Sequence, residues 1–450
     1  VISRSGRRAR AVKVFRSILT TDPSIEDAWL GLGEALVARE EKDAAREVYR
    51  QGARHVPDSS LLIYELARLI ETPAQLGPVL ETEDPAYLYR LGASLSDLER
   101  FDLATRVFEK IVGRRPQTVE GWLDPVTYYL RVNDVDRALG ILEEAVAVMP
   151  DSLDISLALA STLDRAGRSE EATAVYEGLA QRGIKELDLF IYWGIHHEQA
   201  SRWPQAIDAY RHGMVALGEV PELYIRWGIA LSRQERWHEA VDRYRKAAAI
   251  DSLFVDAHLH LGIAMDRIGR RSDAIERLEM AHRMNPASTT VMFYLGSVLE
   301  RESRDGGNEA LFERAVEVFE ELIDTSPQDA YALNYLGYMF AERGVRLEEA
   351  IALLNRAISV DPQNSAFFDS LGWAYYQLGQ FNEAEQYLGK AITQMIDAGD
   401  GDDEEQAVIF DHAGDIAAAL GKHKQALDLW RQALELTPGD REIQRKLDTP

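Results

Sequence analysis

The sequence predicts an all-α chain, a right-handed superhelical solenoid of about twelve helix–turn–helix units. Three observations point there. The chain resembles itself at a period of about 34 residues, as "AWLGLGEALVAREEKDAAREVYRQGARHVP" (28–57) and "AHLHLGIAMDRIGRRSDAIERLEMAHRMNP" (257–286) show. A small residue recurs at the eighth position of each unit, and an alanine recurs further on. Proline closes most units, at Pro57, Pro116, Pro150, Pro286, Pro327, Pro362 and Pro438, because proline cannot continue a helix.

Taken in order, the units are 26–59, 60–84, 85–118, 119–152, 153–186, 187–220, 221–254, 255–288, 289–329, 330–364, 365–406 and 407–440. Their eighth residues are Gly33, Ala67, Gly92, Val126, Ala160, Gly194, Gly228, Gly262, Gly296, Gly337, Gly372 and Gly414, so only Val126 departs from a small side chain. A small residue there lets the two helices of a unit approach. The alanines of the second helices (Ala45, Ala104, Ala138, Ala172, Ala206, Ala240, Ala274, Ala315, Ala350, Ala384 and Ala426) are expected to fill the other side of that contact.

Residues 1–25 hold a second helix alone, with Ala11, Phe15 and Pro23 in register, so further helix is expected before Val1. The chain divides by regularity into 1–84, with the half repeat and a short degenerate unit, a regular array at 85–288, and a C-terminal array at 289–450 with two insertions and a terminal capping helix. Prolines in "ETPAQLGPVLETEDP" predict a truncated second helix and a local change of curvature in 60–84. The insertions around "RESRDGGNEALF" and "DAGDGDDEEQ" predict surface loops.

Composition narrows the function. A net charge of −25 argues against nucleic acid and against anionic lipid surfaces. The exception is "RSGRRARAVKVFR" near the start, read as the solvated face of a helix, with a lipid-binding tether as the alternative. The absence of cysteine removes disulfides, thiol nucleophiles and thiolate metal sites. No run approaches the roughly 18 apolar residues of a membrane helix. Asp27, Glu120, Asp154, Asp188, Glu222 and Asp256 open first helices, so part of the acidity serves the positive ends of helix dipoles.

No constellation for catalysis, cofactor or metal stands out, and the chain is read as a non-enzyme. His196 and His197 are adjacent and point about 100° apart on a helix; His258 and His260 fail as a pair for the same reason. "DAGDGDDEE" matches a calcium loop in charge but lacks its alternating ligands, its sixth-position glycine and its distal glutamate.

The skeleton W-x2-L-G-x2-Y…A-x3-F…P resembles that of the tetratricopeptide repeat family over practically the entire chain. The resemblance implies that the second, fifth, ninth and twelfth residues of each first helix line a concave groove for extended peptides or partner helices. In the late units these are Tyr331, Asn334, Tyr338, Asp369, Trp373, Tyr376, Asp411 and Asp415. They form either a recognition strip with Trp373 as its anchor, or padding between neighbouring units. As a strip, Asp369, Asp411 and Asp415 would repel a peptide's terminal carboxylate, and a basic or amide-rich segment fits better.

The block from Tyr331 to Ile392, followed by "IFDHAGDIAAALGKHKQALDLWRQAL", is similar to the C-terminal block of bacterial envelope tetratricopeptide proteins. Some of these are lipid-anchored adaptors of carboxyl-terminal processing proteases. That likeness implies a non-enzymatic scaffold in the periplasm or at the membrane, with protein or peptide partners such as a protease and its substrates. The alternatives are a permanent subunit of an envelope complex, the recognition arm of an enzyme whose catalytic domain lies elsewhere, and a cytoplasmic location.

Overall fold

A computed structural model describes residues 4–81, 84–399 and 402–448, and the described residues form α-helices, short turns and no strand. Contact density separates the chain into two compact units, residues 1–218 and 219–450. This division follows packing, where the three segments above follow repeat regularity.

The first unit starts with α1 (Arg4–Thr21) and continues as helical hairpins: α2 (Glu26–Val37) with α3 (Lys42–His55), α6 (Pro85–Asp97) with α7 (Phe101–Gly113), α8 (Val119–Arg131) with α9 (Val135–Val148), α10 (Leu153–Arg165) with α11 (Ser169–Gln181), and α12 (Leu187–Gln199) with α13 (Trp203–Leu217). Between α3 and α6 lie α4 (Ser60–Leu69) and the one-turn α5 (Pro73–Leu76), followed by a 3-10 turn at Gly77–Val79. The truncated second helix expected in 60–84 is thus present, and α4 packs directly on α6.

The second unit comprises α14 (Pro221–Ser232) with α15 (Trp237–Ile250), α16 (Val255–Arg267) with α17 (Arg271–Met284), α18 (Thr289–Gly306) with α19 (Glu309–Thr325), α20 (Ala330–Arg343) with α21 (Leu347–Val360), α22 (Ser365–Gln377) with α23 (Phe381–Ala398), and α24 (Asp403–Ala419) with α25 (His423–Leu436); α26 (Arg441–Asp448) ends it.

The local chemistry explains the boundaries. Ser59, Ser152, Ser288, Asp329 and Asn364 precede first helices, and each side-chain oxygen accepts a backbone N–H of the first turn. The first-turn acids such as Asp154 and Asp256 lie one step inside, where they face the helix dipole.

The contact at the eighth position differs from the expectation. The space opposite each glycine is filled by the large residue one helical turn after the alanine. A Cβ on Gly92 would meet the Phe108 ring at 2.8 Å, and one on Gly337 would meet Leu354 at 2.7 Å. The alanine matters through its backbone: the carbonyl oxygens of Ala274, Ala350 and Ala384 come within 3.2, 3.2 and 3.3 Å of a Cβ placed on Gly262, Gly337 and Gly372. Alanine lets the backbones close, and the aromatic or leucine then covers the glycine.

Both insertions also depart from expectation. "RESRDGGNEALF" lengthens α18 and α19, leaving Gly307 and Asn308 as the turn; Gly307 is left-handed, and the Asn308 side chain caps α19. "DAGDGDDEEQ" lengthens α23 and α24, with Asp402 as the N-cap of α24. Alanine and glutamate favour helix, so the added residues extend flanking helices that already pack. Residues 400 and 401 of the calcium-like stretch lie outside the described residues.

Candidate functional site

The late first helices bring Asp369, Trp373, Tyr376, Asp411 and Asp415 together, but the side chains largely satisfy one another. Asp369 is buried at 5 % exposure, and both its oxygens lie 3.0 Å from Nδ1 of the buried His412. Burial pulls the imidazole pKa down. The Asp369 carboxylate, with Asp411 and Glu342 beyond it, outweighs burial and leaves His412 above its ordinary value. Trp373 stacks on Tyr376 and His412 at 4.8 and 4.2 Å between ring centroids, and its indole N–H donates to Glu342 at 3.1 Å.

Lys446 of α26 donates to Asp411 at 2.9 and 2.8 Å and to Asp415 at 2.8 Å. Asp415 also accepts the Trp430 indole N–H. Burial raises the Asp411 pKa; its bonds to Lys446 only partly reverse this. Each of these three carboxylates already holds a cation or a donor of this chain, so a basic partner would compete with His412 and Lys446 for them. Trp373, stacked on both Tyr376 and His412, has the contacts of padding as well as the position of a groove residue.

Of the other three residues, Tyr338 adjoins this cluster through Glu342 and Asp369. Tyr331 is exposed and meets Phe367 edge-to-face at 5.7 Å. Asn334 keeps a buried side-chain oxygen without a hydrogen bond. Burial first, then Glu342 and Asp369, raise the Tyr338 phenol far above its usual value.

An open cavity of about 830 Å³ lies earlier in the second unit. The groove positions of units 221–329 line it: Ile229 and Ser232 on α14, Ile263 and Asp266 on α16, Phe293 and Ser297 on α18. The positional rule that picked out the late residues names these as well. Tyr244, Trp237, Tyr294 and Tyr335 add aromatic walls. Burial pushes the Tyr244 and Tyr335 phenols up to about 12, and His260, stacked on Tyr244 at 5.4 Å, is pulled below its ordinary value, so these groups stay neutral near pH 7.

Four arginines line the same cavity, Arg233, Arg267, Arg271 and Arg301, against Glu235 and Asp266. In a chain of net charge −25, this is a local inversion of sign. Arg301 donates to Asp266 at 2.6 Å; Arg271 lies 3.4 Å from Asp266 and also pairs with Asp305. The Arg267 guanidinium sits 5.6 Å from the centre of the Trp237 ring. Among the described residues, neither Arg233 nor Arg267 has a carboxylate partner. A 34-residue recurrence of arginine in the sequence (267 − 233 = 34, 301 − 267 = 34) was the available signal for this row.

A hydroxyl–imidazole–carboxylate series occurs in the first unit. His196 Nδ1 lies 2.6 Å from Asp164, and His196 Nε2 lies 2.8 Å from the Thr173 hydroxyl. Arg202, which only donates, lies 3.0 Å from the same Nε2. The Thr173 hydroxyl and the Arg202 guanidinium thus converge on the same ring nitrogen. This cluster ties α10, α11 and α12 together.

Sequence profiles described as tetratricopeptide repeat match residues 3–60, 129–183, 266–317, 308–365 and 367–438, together more than half of the chain. The TPR repeat-containing protein PA4667 of Pseudomonas aeruginosa is 40 % identical over 76 residues, 17 % of this chain and 13 % of that protein. The TPR repeat-containing protein MJ1428 of Methanocaldococcus jannaschii is 25 % identical over 132 residues, 29 % of this chain and 21 % of its own length.

Among solved structures, the APC/C hetero-tetramer Cut9–Hcn1 aligns with 99 % of this chain and 96 % of its own at 15 % identity and a TM-score of 0.47. A tetratricopeptide repeat protein from Parabacteroides merdae aligns with 58 % of this chain and 97 % of its own at 15 % identity and a TM-score of 0.48. At such scores nothing about function follows from either structure. The repeated sequence matches and the stacked helical hairpins agree: the chain belongs to the tetratricopeptide repeat family.

Proposed function

We propose that this chain is a non-enzymatic adaptor that holds a segment of a partner polypeptide in the groove of its 219–450 unit. Tetratricopeptide repeat proteins generally mediate protein–protein interaction. The observation that carries the proposal here is the cavity built from equivalent positions of three successive units. Its apolar walls would take side chains of an extended or helical segment, and its polar rim would orient the main chain.

A bacterial envelope setting, with a processing protease and its substrates as partners, belongs to the same proposal. It rests on the similarity of the block starting at Tyr331 to envelope adaptors. The late groove, closed by its own ion pairs, serves the reading as a rigid end of the array.

Site-specific photocrosslinking in the native host tests the proposal. A photoreactive phenylalanine at Ile263 is expected to capture a polypeptide, and one at the exposed Lys246 of α15 is not. Equal capture at both positions, or none at Ile263, would move the functional surface elsewhere.

A further inference from the structure

We infer that the segment taken by this groove is acidic, with two carboxylates about three residues apart among apolar side chains. The inference rests on the proposed groove binding and adds the chemistry of the partner. It starts from the register of the arginines. Arg233, Arg267 and Arg301 each occupy the thirteenth place of their unit, and the repeat therefore sets them in a row along adjacent first helices. The first helices α14, α16 and α18 contact one another in that order. Packed helices lie about 8–10 Å apart. A segment in the polyproline II conformation advances about 3.1 Å per residue and returns to the same face every third residue. One step along the row therefore corresponds to about three residues of such a partner.

Charge decides which steps are open. Arg301 and Arg271 share Asp266, and Arg271 also holds Asp305, so this end of the row is neutralised within the chain. Arg233 and Arg267 are exposed and have no such partner among the described residues; Glu235 is the acidic lining residue outside the Asp266 network. The Trp237 ring supports Arg267 from the side and leaves N–H groups of its planar fork for a carboxylate. Two such arginines match two carboxylates, and each charge-assisted pair adds direction as well as attraction. Ile229, Ile263 and Phe293 supply apolar surface for the residues between them. The overall charge of −25 works against a polyanion as long as a nucleic acid, whereas a short acidic segment meets only the local positive field.

The test uses the full chain and fluorescein-labelled decapeptides of Leu, Phe, Gly and Ser, read by anisotropy. One peptide carries Asp at i and i+3, a second Asp at i and i+1, and two more carry Asn or Lys at i and i+3. The i,i+3 Asp peptide is expected to bind at least tenfold more tightly than the Asn peptide and more tightly than the i,i+1 isomer, with the advantage shrinking as salt rises. The double variant Arg233→Glu, Arg267→Glu is expected to lose that tenfold and to gain affinity for the Lys peptide. Both arginines are exposed, and an unchanged circular dichroism melt verifies the fold.

Equal binding of the Asp, Asn and Lys peptides overturns the charge inference and leaves groove binding standing. Displacement of the Asp peptide by oligothymidylate at equal affinity overturns it in favour of a phosphate ligand. Absence of binding by every peptide, together with no crosslink at Ile263, removes the groove reading itself.

Discussion

Replacing Lys446 by Met should unfasten the last repeat. The ammonium makes three contacts of 2.8–2.9 Å with Asp411 and Asp415, and the three side chains are 23, 21 and 17 % exposed. Methionine keeps the length of the side chain and removes the charge, leaving two carboxylates one helical turn apart without a cation. Hydrogen bonds to charged groups contribute about 1.5–3 kcal/mol each. Partial exposure lets water and salt take over part of that, so the loss should be about 2 kcal/mol for the cluster. Units of a repeat array depend mainly on their neighbours, so the loss should appear at the end of the chain. Since 1.4 kcal/mol is a factor of ten, amide protection in α24–α26 should fall roughly 30-fold while α14–α17 stay unchanged. Hydrogen exchange read by mass spectrometry resolves the two regions. The triple variant Lys446→Met, Asp411→Asn, Asp415→Asn should recover most of the protection. Unchanged exchange in α24–α26, or a loss spread evenly over α14–α26, would refute the reasoning.

Gly372→Leu should cost on the order of 1–3 kcal/mol in urea unfolding, because any Cβ there collides with Leu388. Gly389→Ala, where nothing lies within 4 Å, should instead stabilise by about 0.5–1 kcal/mol through helix propensity. Two histidines should give the units opposite pH dependence in hydrogen exchange. His412 is raised above 6.5 in the fold, so its contribution is complete below about pH 6.5 and is lost as pH rises through the folded value; Asp369→Asn should abolish that loss. His197 is lowered from 6.5 to about 4, by burial first and then by His196 and Arg202, so its contribution is present above pH 6.5 and is lost as pH falls towards 4. Trp373→Ala should lower stability by about 2 kcal/mol in thermal or urea melts, since its ring stacks on Tyr376 and His412; a melt like that of the parent would restore it as a free groove residue.

The parts legible in the sequence were those that every repeat must solve alike. A small residue at Gly92 or Gly337 and a proline after most second helices recur because two helices have to close on each other and then stop. Val126 is the exception to the small residue, and it is buried all the same, with Pro125 beside it inside α8. What was not legible was pairing across distance. Asp369 reads as a groove carboxylate until His412, 43 residues later, is seen beneath it, and Asp411 and Asp415 look free until α26 brings Lys446 back. The insertions misled for a related reason. Extra residues in a solenoid have two outlets, a loop or longer helices, and only the packing available to α18, α19, α23 and α24 decides between them.

The same geometry explains why the candidate site lies where the signature is silent. A residue that recurs at the repeat period becomes a row in space, and a row can serve either the interior or a partner. The signature rows at Gly228, Gly262 and Gly296 are consumed by Tyr244, Leu278 and Phe319. The row Arg233, Arg267, Arg301 has no such interior use at its first two members, because arginine at the mouth of a groove neither packs helices nor caps them. Late in the chain the corresponding places hold Glu342 and Gln377, and there the groove positions are filled by the chain's own His412 and Lys446. The 219–450 unit thus carries a groove open at the arginine end and closed by internal ion pairs at the other. If the chain is the adaptor proposed above, this gradient of vacancy, more than any one residue, would direct a partner to α14–α18.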